Sequence, residues 1–215
     1  MNDVDTNILR GGPARRVIGL TGASGSGKSE AARILSGLGA YIIDADKVAR
    51  EVTDRRETMD ELVREFGGWI VGPRGRFNRA DASKRAFSDG VFLKRLTEIT
   101  HKYIIKEIYG RVESFITDPA PGAIVIDAPI PVEKGFLDIS DAVWVISTSR
   151  AVRLERVMAR DRIARDAAEA RFASQLSDAE YEKLADVVIY NNGGPENLEA
   201  EVALQYRMFC RGRGK

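Results

Sequence analysis

Cysteine, histidine and long hydrophobic runs are scarce in this sequence. Its 215 residues include one cysteine and one histidine, and its net charge is +1. A single cysteine excludes a disulfide within the chain and fits a reducing compartment, so we expect a cytoplasmic location. No apolar run approaches the ~20 residues that cross a bilayer, and the charge balance gives no basis for holding nucleic acid. We therefore expect neither a membrane nor a nucleic-acid partner, and nothing indicates an obligate protein partner.

The most informative segment is rich in glycine and serine. Residues 22–29 match the pattern G-x-x-x-x-G-K-[ST] of a phosphate-binding loop. The apolar run 17–21 before it predicts a buried strand, and good helix formers follow it as far as Gly39. This strand–loop–helix context favours a nucleotide site over a flexible turn. The predicted ATP-binding residues are Gly22, Ala23, Ser24, Gly25, Ser26, Gly27, Lys28 and Ser29.

Two of these side chains carry specific chemistry. Glycines let successive N–H groups and the helix N-terminus face an anion. Lys28 is expected to reach the β- and γ-phosphates, and the Ser29 hydroxyl to bind Mg²⁺. Asp127 ends another apolar run and is a candidate second magnesium element, acting through water. Ala128 follows it, where motor ATPases commonly place a glutamate that activates water, and this argues against a motor ATPase. No Asn-Lys-x-Asp motif is present to read guanine, which argues against a GTPase.

The remaining apolar runs predict an α/β fold. They occur at 41–44, 123–127, 142–146 and 187–190, and they are apolar almost throughout, which is typical of parallel strands between helix layers. A last helix is predicted over 195–209, starting at a proline. About seventy residues separate the second and third runs, more than a simple crossover needs. They predict a helical insertion with helices over 56–66, 79–87 and 91–116.

The domain boundaries follow from these elements. We expect a polar, disordered leader over 1–16, a nucleotide-binding core over 17–54, 119–149 and 176–215, a helical insertion over 55–118 and a lid over 150–175. The predicted lid is rich in arginine, and its guanidinium groups could meet triphosphate oxygens. A solvated helix face is the alternative, since acidic residues partly balance the run. Arg156 and Arg160 are the favoured phosphate contacts.

Two carboxylates follow the second predicted strand. Asp44 and Asp46 stand at its carboxyl end, where open parallel sheets bind their ligands. One of them could accept a proton from an attacking hydroxyl. Alternatively, one could cap the next helix, a role that suits aspartate. The two interpretations are compatible if each applies to a different residue.

With this loop and these two aspartates, the chain resembles the dephospho-coenzyme A kinase family of adenylate-kinase-like enzymes. The family transfers the γ-phosphate of ATP to the 3′-hydroxyl of dephospho-coenzyme A. The resemblance runs from Val17 to Gly193 and implies a three-layer fold with strand order 2-3-1-4-5 and an acceptor-binding insertion. Its markers are residues 18–22, 44–46 with 49–50, 78–79, 86–87, 101, 104, 127–129, 133–135, 156–157, 160–161, 171, 175, 185–186 and 191–193.

The resemblance also implies roles for single residues. Asp46 falls on the general base, Arg156 and Arg160 on lid arginines, and Asn191 near the adenine. Lys28 and Ser29 keep their phosphate and magnesium roles. The residues expected to contact the acceptor are Asp44, Arg50, Arg79, His101 and Asp127.

Some positions depart from the family pattern. Ala23 and Ser24 replace Gly-Ile, Lys102 replaces a proline, Arg153 replaces a glutamine, and residues 130–132 replace Leu-Leu-Phe. Without the proline, we expect one continuous helix over 91–115. The alternatives are another small-molecule kinase of this fold, acting on a nucleoside, nucleotide or sugar acid, and a nucleotide-binding regulatory protein without transferase activity.

Overall fold

The computed structural model describes residues 16–117, 122–128 and 139–211. Most of the predicted leader (1–15), the family markers at 129 and 133–135 and the departures at 130–132 lie outside these residues. The chain divides into two compact units. The helical unit is Asp44–Thr117, and the nucleotide unit comprises the described residues before and after it.

The predicted five-stranded parallel sheet is confirmed. Its strands are β1 (Val17–Thr21), β2 (Tyr41–Asp44), β3 (Ile124–Asp127), β4 (Ala142–Ser147) and β5 (Val187–Tyr190). Their order is β2-β3-β1-β4-β5, as the resemblance implies. The central strand β1 is fully buried, which its unbroken apolar character predicts. It pairs in parallel with β3 and β4, and Leu20 is opposite both Asp127 and Trp144.

The helices connect and cover these strands. In chain order they are α1 (Lys28–Gly37), α2 (Ala45–Thr53), α3 (Arg56–Phe66), α4 (Arg79–Ser88), α5 (Gly90–Thr117), α6 (Arg150–Asp161), α7 (Arg165–Ala173), α8 (Asp178–Lys183) and α9 (Pro195–Arg211). Short 3₁₀ turns occupy Gly68–Ile70 and Pro73–Gly75. None of the described helices is long and apolar enough to cross a bilayer.

Three clusters of apolar side chains form the described core of the nucleotide unit, one of them between α6 and α7 and the other two against the sheet. In the larger one, Leu35 of α1 and Val202 of α9 pack with strand residues such as Leu20 and Trp144. In the smaller one, Ala23 of the loop packs with Val143, Val145 and Tyr181. The phosphate-binding loop is therefore anchored in the core through Ala23.

The helical unit is built around the long helix α5. It runs without a break over 28 residues, so the predicted continuous helix through position 102 is confirmed. Leu62 of α3, Ile70 of the first 3₁₀ turn, and Phe92 and Ile99 of α5 form its buried core.

A row of ion pairs, which we call the α5 ladder, fastens α5 to α2 and α3. From one pair to the next, the residue number rises along the segment 51–65 and falls along α5, so the paired segments are antiparallel. The Lys102–Glu61 pair, at 2.5 Å, explains the departure at position 102, because a proline there could not make it. The other pairs are Arg95–Glu65 at 2.8 Å, Arg55–Glu107 at 2.7 Å and Arg111–Glu51 at 2.6 Å.

Candidate nucleotide and phosphotransfer site

The phosphate-binding loop has a backbone shape that needs glycine. Gly25 and Gly27 have φ angles of +82° and +96°, in the left-handed region. A Cβ on Gly27 would lie 2.2 Å from Asn191 Nδ2, and one on Gly25 would lie 2.8 Å from the Arg153 carbonyl oxygen. α1 begins directly after Gly27, and no described side chain caps it. Its first N–H groups and the positive end of its dipole are therefore available to an anion.

Two buried polar side chains donate hydrogen bonds to the backbone of the loop. The Ser26 carbonyl accepts hydrogen bonds from Asn191 Nδ2 at 2.8 Å and from Thr148 Oγ1 at 2.9 Å. Asn191 and Thr148 directly follow β5 and β4, so the carboxyl ends of two strands fix one carbonyl of the loop. The Asn191 amide is thus engaged by the loop, and its contact with adenine stays a prediction. Thr148 escaped the sequence analysis, although its place after a buried strand was a usable signal.

Lys28 and Asp127, predicted separately for phosphate and magnesium, are brought together. The Lys28 ammonium forms an ion pair with Asp127 Oδ1, and the two side chains are 18% and 12% exposed. The pair joins the first residue of α1 to the last residue of β3. The loop lysine is therefore held at the carboxyl edge of the sheet, in reach of an anion bound at the α1 N-terminus.

The same corner fits magnesium only if the nucleotide supplies ligands. Ser29 is exposed in the first turn of α1, and Asp127 ends β3. The described residues contain no cluster of three or more His, Cys, Asp or Glu suited to hold a metal. Mg²⁺ usually binds one or two protein oxygens together with phosphates and water. The available donors suit that mode better than a cage made by the protein alone.

The predicted lid arginines lie in different surroundings. Arg156 is half-buried and extends over the loop, with Nη1 3.5 Å from the Gly25 carbonyl and Nη2 3.5 Å from the Asn191 carbonyl. Arg160 is more exposed and donates twice to Asp161, at 2.7 and 3.0 Å. Hydrogen bonds from Arg160, then Arg171, lower the pKa of Asp161. Of the two arginines, Arg156 has the contacts with the loop.

Arg153 has a structural role that sequence reasoning missed. It is only 5% exposed, and its Nε donates to the Thr148 carbonyl at 3.0 Å. Its Nη2 donates to Asp178 Oδ1 at 2.6 Å, and its guanidinium carbon lies 4.8 Å from the Phe172 ring centroid. The signal was the spacing of Leu154 and Val157, which places position 153 on the buried face of α6. A solvated helix face therefore does not describe this arginine.

In the helical unit, Asp44 and Asp46 differ in their bonding. Asp44 is the N-cap of α2, and its Oδ1 accepts a hydrogen bond from the Lys47 N–H at 2.9 Å. The capping interpretation is thus confirmed for Asp44. Asp46 is exposed in the first turn of α2, and no hydrogen bond or ion pair of the described residues engages its carboxylate. The approach of either carboxylate to a phosphate stays a prediction.

Three predicted acceptor contacts lie elsewhere in the helical unit. Arg79, at the start of α4, closes the C-terminal end of α2 by donating to the Arg50 carbonyl at 2.9 Å and to Asp54 Oδ1 at 3.1 Å. Arg50 is exposed in the last turn of α2, and His101 is half-buried within α5. The Arg79 guanidinium therefore has a structural task, and the acceptor roles of all three residues stay predictions.

Comparisons with known proteins identify the family of this chain. A dephospho-CoA kinase family model matches residues 16–197. Dephospho-CoA kinases of Geobacter sulfurreducens and Carboxydothermus hydrogenoformans are 40% and 37% identical over 187 residues, covering 86% of this chain and 94% and 90% of theirs. A Thermus thermophilus crystal structure matches with a TM-score of 0.76 and 30% identity, over 91% of this chain and 97% of that one. The chain therefore belongs to the dephospho-CoA kinase family of ATP-dependent kinases.

Proposed function

We propose that this chain transfers the γ-phosphoryl group of ATP to the 3′-hydroxyl of dephospho-coenzyme A, giving coenzyme A and ADP. The observation that carries the proposal is the Lys28–Asp127 pair beside the uncapped N-terminus of α1. It places a cation, a carboxylate and free backbone N–H groups at one corner of the nucleotide unit. That set can hold a triphosphate and its metal.

In this proposal the loop acts mainly by positioning and by stabilising charge. The transition state of phosphoryl transfer is loose, with negative charge on the equatorial oxygens. The N–H groups at the start of α1, Lys28 and Arg156 offset that charge. Ser29, with Asp127 through water, would hold Mg²⁺, which neutralises charge on the β- and γ-oxygens when bound. Arg160, near the end of α6, would have to release Asp161 to meet the phosphates.

Asp46 is the proposed general base. Its carboxylate is exposed and has no partner among the described residues, whereas that of Asp44 is engaged in capping α2. A carboxylate of this kind can orient the acceptor hydroxyl and take its proton late in the reaction. Asp44 then acts indirectly, because its capping bond fixes the turn that carries Asp46.

The function is tested by incubating the chain with ATP, Mg²⁺ and dephospho-coenzyme A. Mass analysis should show one phosphoryl group added to the acceptor, and ADP release should require the acceptor. ADP release stimulated only by a nucleoside, a nucleotide or a sugar acid would overturn the acceptor assignment. ATP binding without stimulation by any acceptor would favour a regulatory protein. The cytoplasmic location stays a prediction.

The assignment of the base is tested by Asp46→Asn. We expect kcat to fall by about 10²- to 10³-fold, because the amide cannot accept the proton. The dissociation constant of ADP, measured by calorimetry, should stay close to that of the unsubstituted chain. The matched control is Asp60→Asn on the exposed face of α3, which should leave turnover unchanged. Normal turnover by the Asp46→Asn protein would remove Asp46 from this role.

A further inference from the structure

A reciprocal pair of hydrogen bonds joins the phosphate-binding loop to the segment between α7 and α8. The Ser24 backbone N–H donates to Gln175 Oε1 at 3.1 Å, and Gln175 Nε2 donates to Ser24 Oγ at 2.7 Å. The two residues are 151 positions apart, and both are half-buried. The primary amide of glutamine matches this edge of the loop, because it offers one acceptor and one donor side by side.

The residue that Gln175 holds belongs to a tight turn. The Ser26 N–H donates to the Ala23 carbonyl at 3.1 Å, which makes Ser24 and Gly25 the central residues of the turn. Gly25 has a positive φ of +82°, as the second central residue of a type II turn requires. The orientation of the Ser24 N–H and side chain is thus tied to the shape of the turn that leads into Gly27 and α1.

The segment 175–181, which begins at Gln175, supports the loop through further contacts. Leu176, next to Gln175, and Tyr181 belong to the apolar cluster around Ala23. Asp178 holds the buried Arg153 at 2.6 Å, and the backbone of Arg153 approaches Gly25 closely. The segment 175–181 therefore supports residues 23–25 of the turn, while Thr148 and Asn191 fix the Ser26 carbonyl.

We propose that Gln175 is a positioning residue for nucleotide binding, acting through Ser24 to fix the 23–26 turn of the phosphate-binding loop. It also links the loop to α7, which ends at Ala173, two residues before Gln175. The proposal rests on the proposed function only so far as the loop binds a nucleotide, and it does not depend on the identity of the acceptor.

The test is calorimetric titration of the variants with ADP. In Gln175→Ala, both hydrogen bonds to Ser24 are lost, and we expect the ADP dissociation constant to rise about five- to tenfold. The KM for ATP should rise in parallel, while kcat and the KM of the acceptor change by less than about twofold. Gln175→Glu can still accept from the Ser24 N–H and its hydroxyl, but its negative charge lies beside the phosphate-binding loop, so it should approach the affinity of glutamine for ADP only at high ionic strength, where that charge is screened.

Ser24→Ala tests the pair from the other side. It removes the bond to Oγ and keeps the one from the N–H, so it should have an intermediate effect. The double variant with Gln175→Ala should be no worse than Gln175→Ala alone, because the residues act as one unit. The matched control is Ser174→Ala, whose hydroxyl donates to the Arg171 carbonyl and not to the loop. It should bind ADP normally.

Several outcomes would overturn the proposal. A Gln175→Ala protein that melts earlier but binds ADP normally would show a purely structural role. Equally weak binding by Gln175→Glu and Gln175→Ala at high ionic strength, where the added charge is screened, would show that the paired hydrogen bonds are not what matters. If Gln175→Ala does not fold, normal ADP binding by Ser24→Ala would overturn the proposal in its place. ADP binding by a chain that fails to phosphorylate dephospho-coenzyme A would sink the proposed acceptor and leave this inference standing. No ADP binding by the unsubstituted chain would overturn both.

Discussion

Each of the two units is stabilised internally by a different kind of polar contact. In the nucleotide unit, the groups around the loop are buried, and Thr148, Arg153 and Asn191 are between 2% and 6% exposed. In the helical unit, the α5 ladder consists of ion pairs at the surface, and its Arg55 and Lys102 side chains are 50% and 51% exposed. A buried polar group that loses its partner is costly, whereas an exposed pair contributes little. The loop should therefore tolerate almost no change, and the ladder should tolerate many.

The largest expected effect comes from Gly27→Ala. The new Cβ would meet Asn191 Nδ2 at 2.2 Å, and alanine would have to adopt a φ of +96°. The strain and the lost loop shape should weaken ADP binding about 100-fold or more in calorimetry. Gly37→Ala, at the last residue of α1, is the matched control, because a Cβ there has no neighbour within 4 Å. It should bind ADP normally, and equal affinities for the two variants would break the comparison.

A smaller but still large effect is expected from Asp178→Ala. It leaves the guanidinium of Arg153, 5% exposed, with the Thr148 carbonyl and the Phe172 ring as its remaining partners. Asp178 itself is 44% exposed, so water can replace part of the lost bond. We expect the free energy of unfolding, measured with urea, to fall by about 2 kcal/mol. Glu155→Ala, on the exposed side of α6, is the control and should change it by less than about 0.5 kcal/mol.

The same contrast explains what could be predicted from the sequence. The bounds of β1, β2, β5 and α3 were predicted to the residue, because buried strands and the glycine-terminated α3 have strong local signals. α8 was missed although Ser177 and Glu180 form a capping box at its start.

Within the site, the motif predicted the loop but not the groups that support it. Arg153–Asp178 and Ser24–Gln175 join residues 25 and 151 positions apart. Local patterns carry no information on such pairings, and polar side chains usually lie at the surface. The lysine predicted for phosphate and the aspartate predicted for magnesium do form a pair. They meet because the loop after β1 and the end of β3 both lie at the carboxyl edge of one parallel sheet.

In the α5 ladder, the clearest pH dependence is expected at Glu107. The hydrogen bond from Arg55, with that from Arg111, lowers its pKa from 4.5 to about 2. The folded state thus prefers the charged form, and the stabilisation is full above pH 4.5 and is lost as the pH falls towards 2. Because the pair lies at the surface, Glu107→Gln should cost only about 1 kcal/mol at pH 7.

The measurement for Glu107→Gln is urea unfolding of both proteins at pH 7 and at two lower values. The difference in the free energy of unfolding should shrink through the window below pH 4.5. A difference that stays constant with pH would mean that packing, and not charge, explains the loss. Glu155→Gln, at an exposed position of α6, provides the control for removing one negative charge.

The smallest effect is expected from Lys102→Met, the most direct test of what the departure at this position does. Its ammonium pairs with Glu61, which still accepts a hydrogen bond of 2.6 Å from the Tyr103 hydroxyl when the lysine is absent. Burial, with the nearby Glu61, raises the pKa of Tyr103 to about 12, so that hydroxyl remains a donor at neutral pH. The free energy of unfolding should fall by no more than about 0.5 kcal/mol.

Kinetics of the same variant separate a structural lysine from an acceptor contact. If Lys102 serves only the α5 ladder, the KM of dephospho-coenzyme A should match that of Lys106→Met, an exposed position one turn further along α5. A KM that rises tenfold or more in Lys102→Met alone would place the ammonium at the acceptor. The α5 ladder would then not be uniformly tolerant of substitution, because one of its residues would be needed for acceptor binding, as the loop is needed for nucleotide binding.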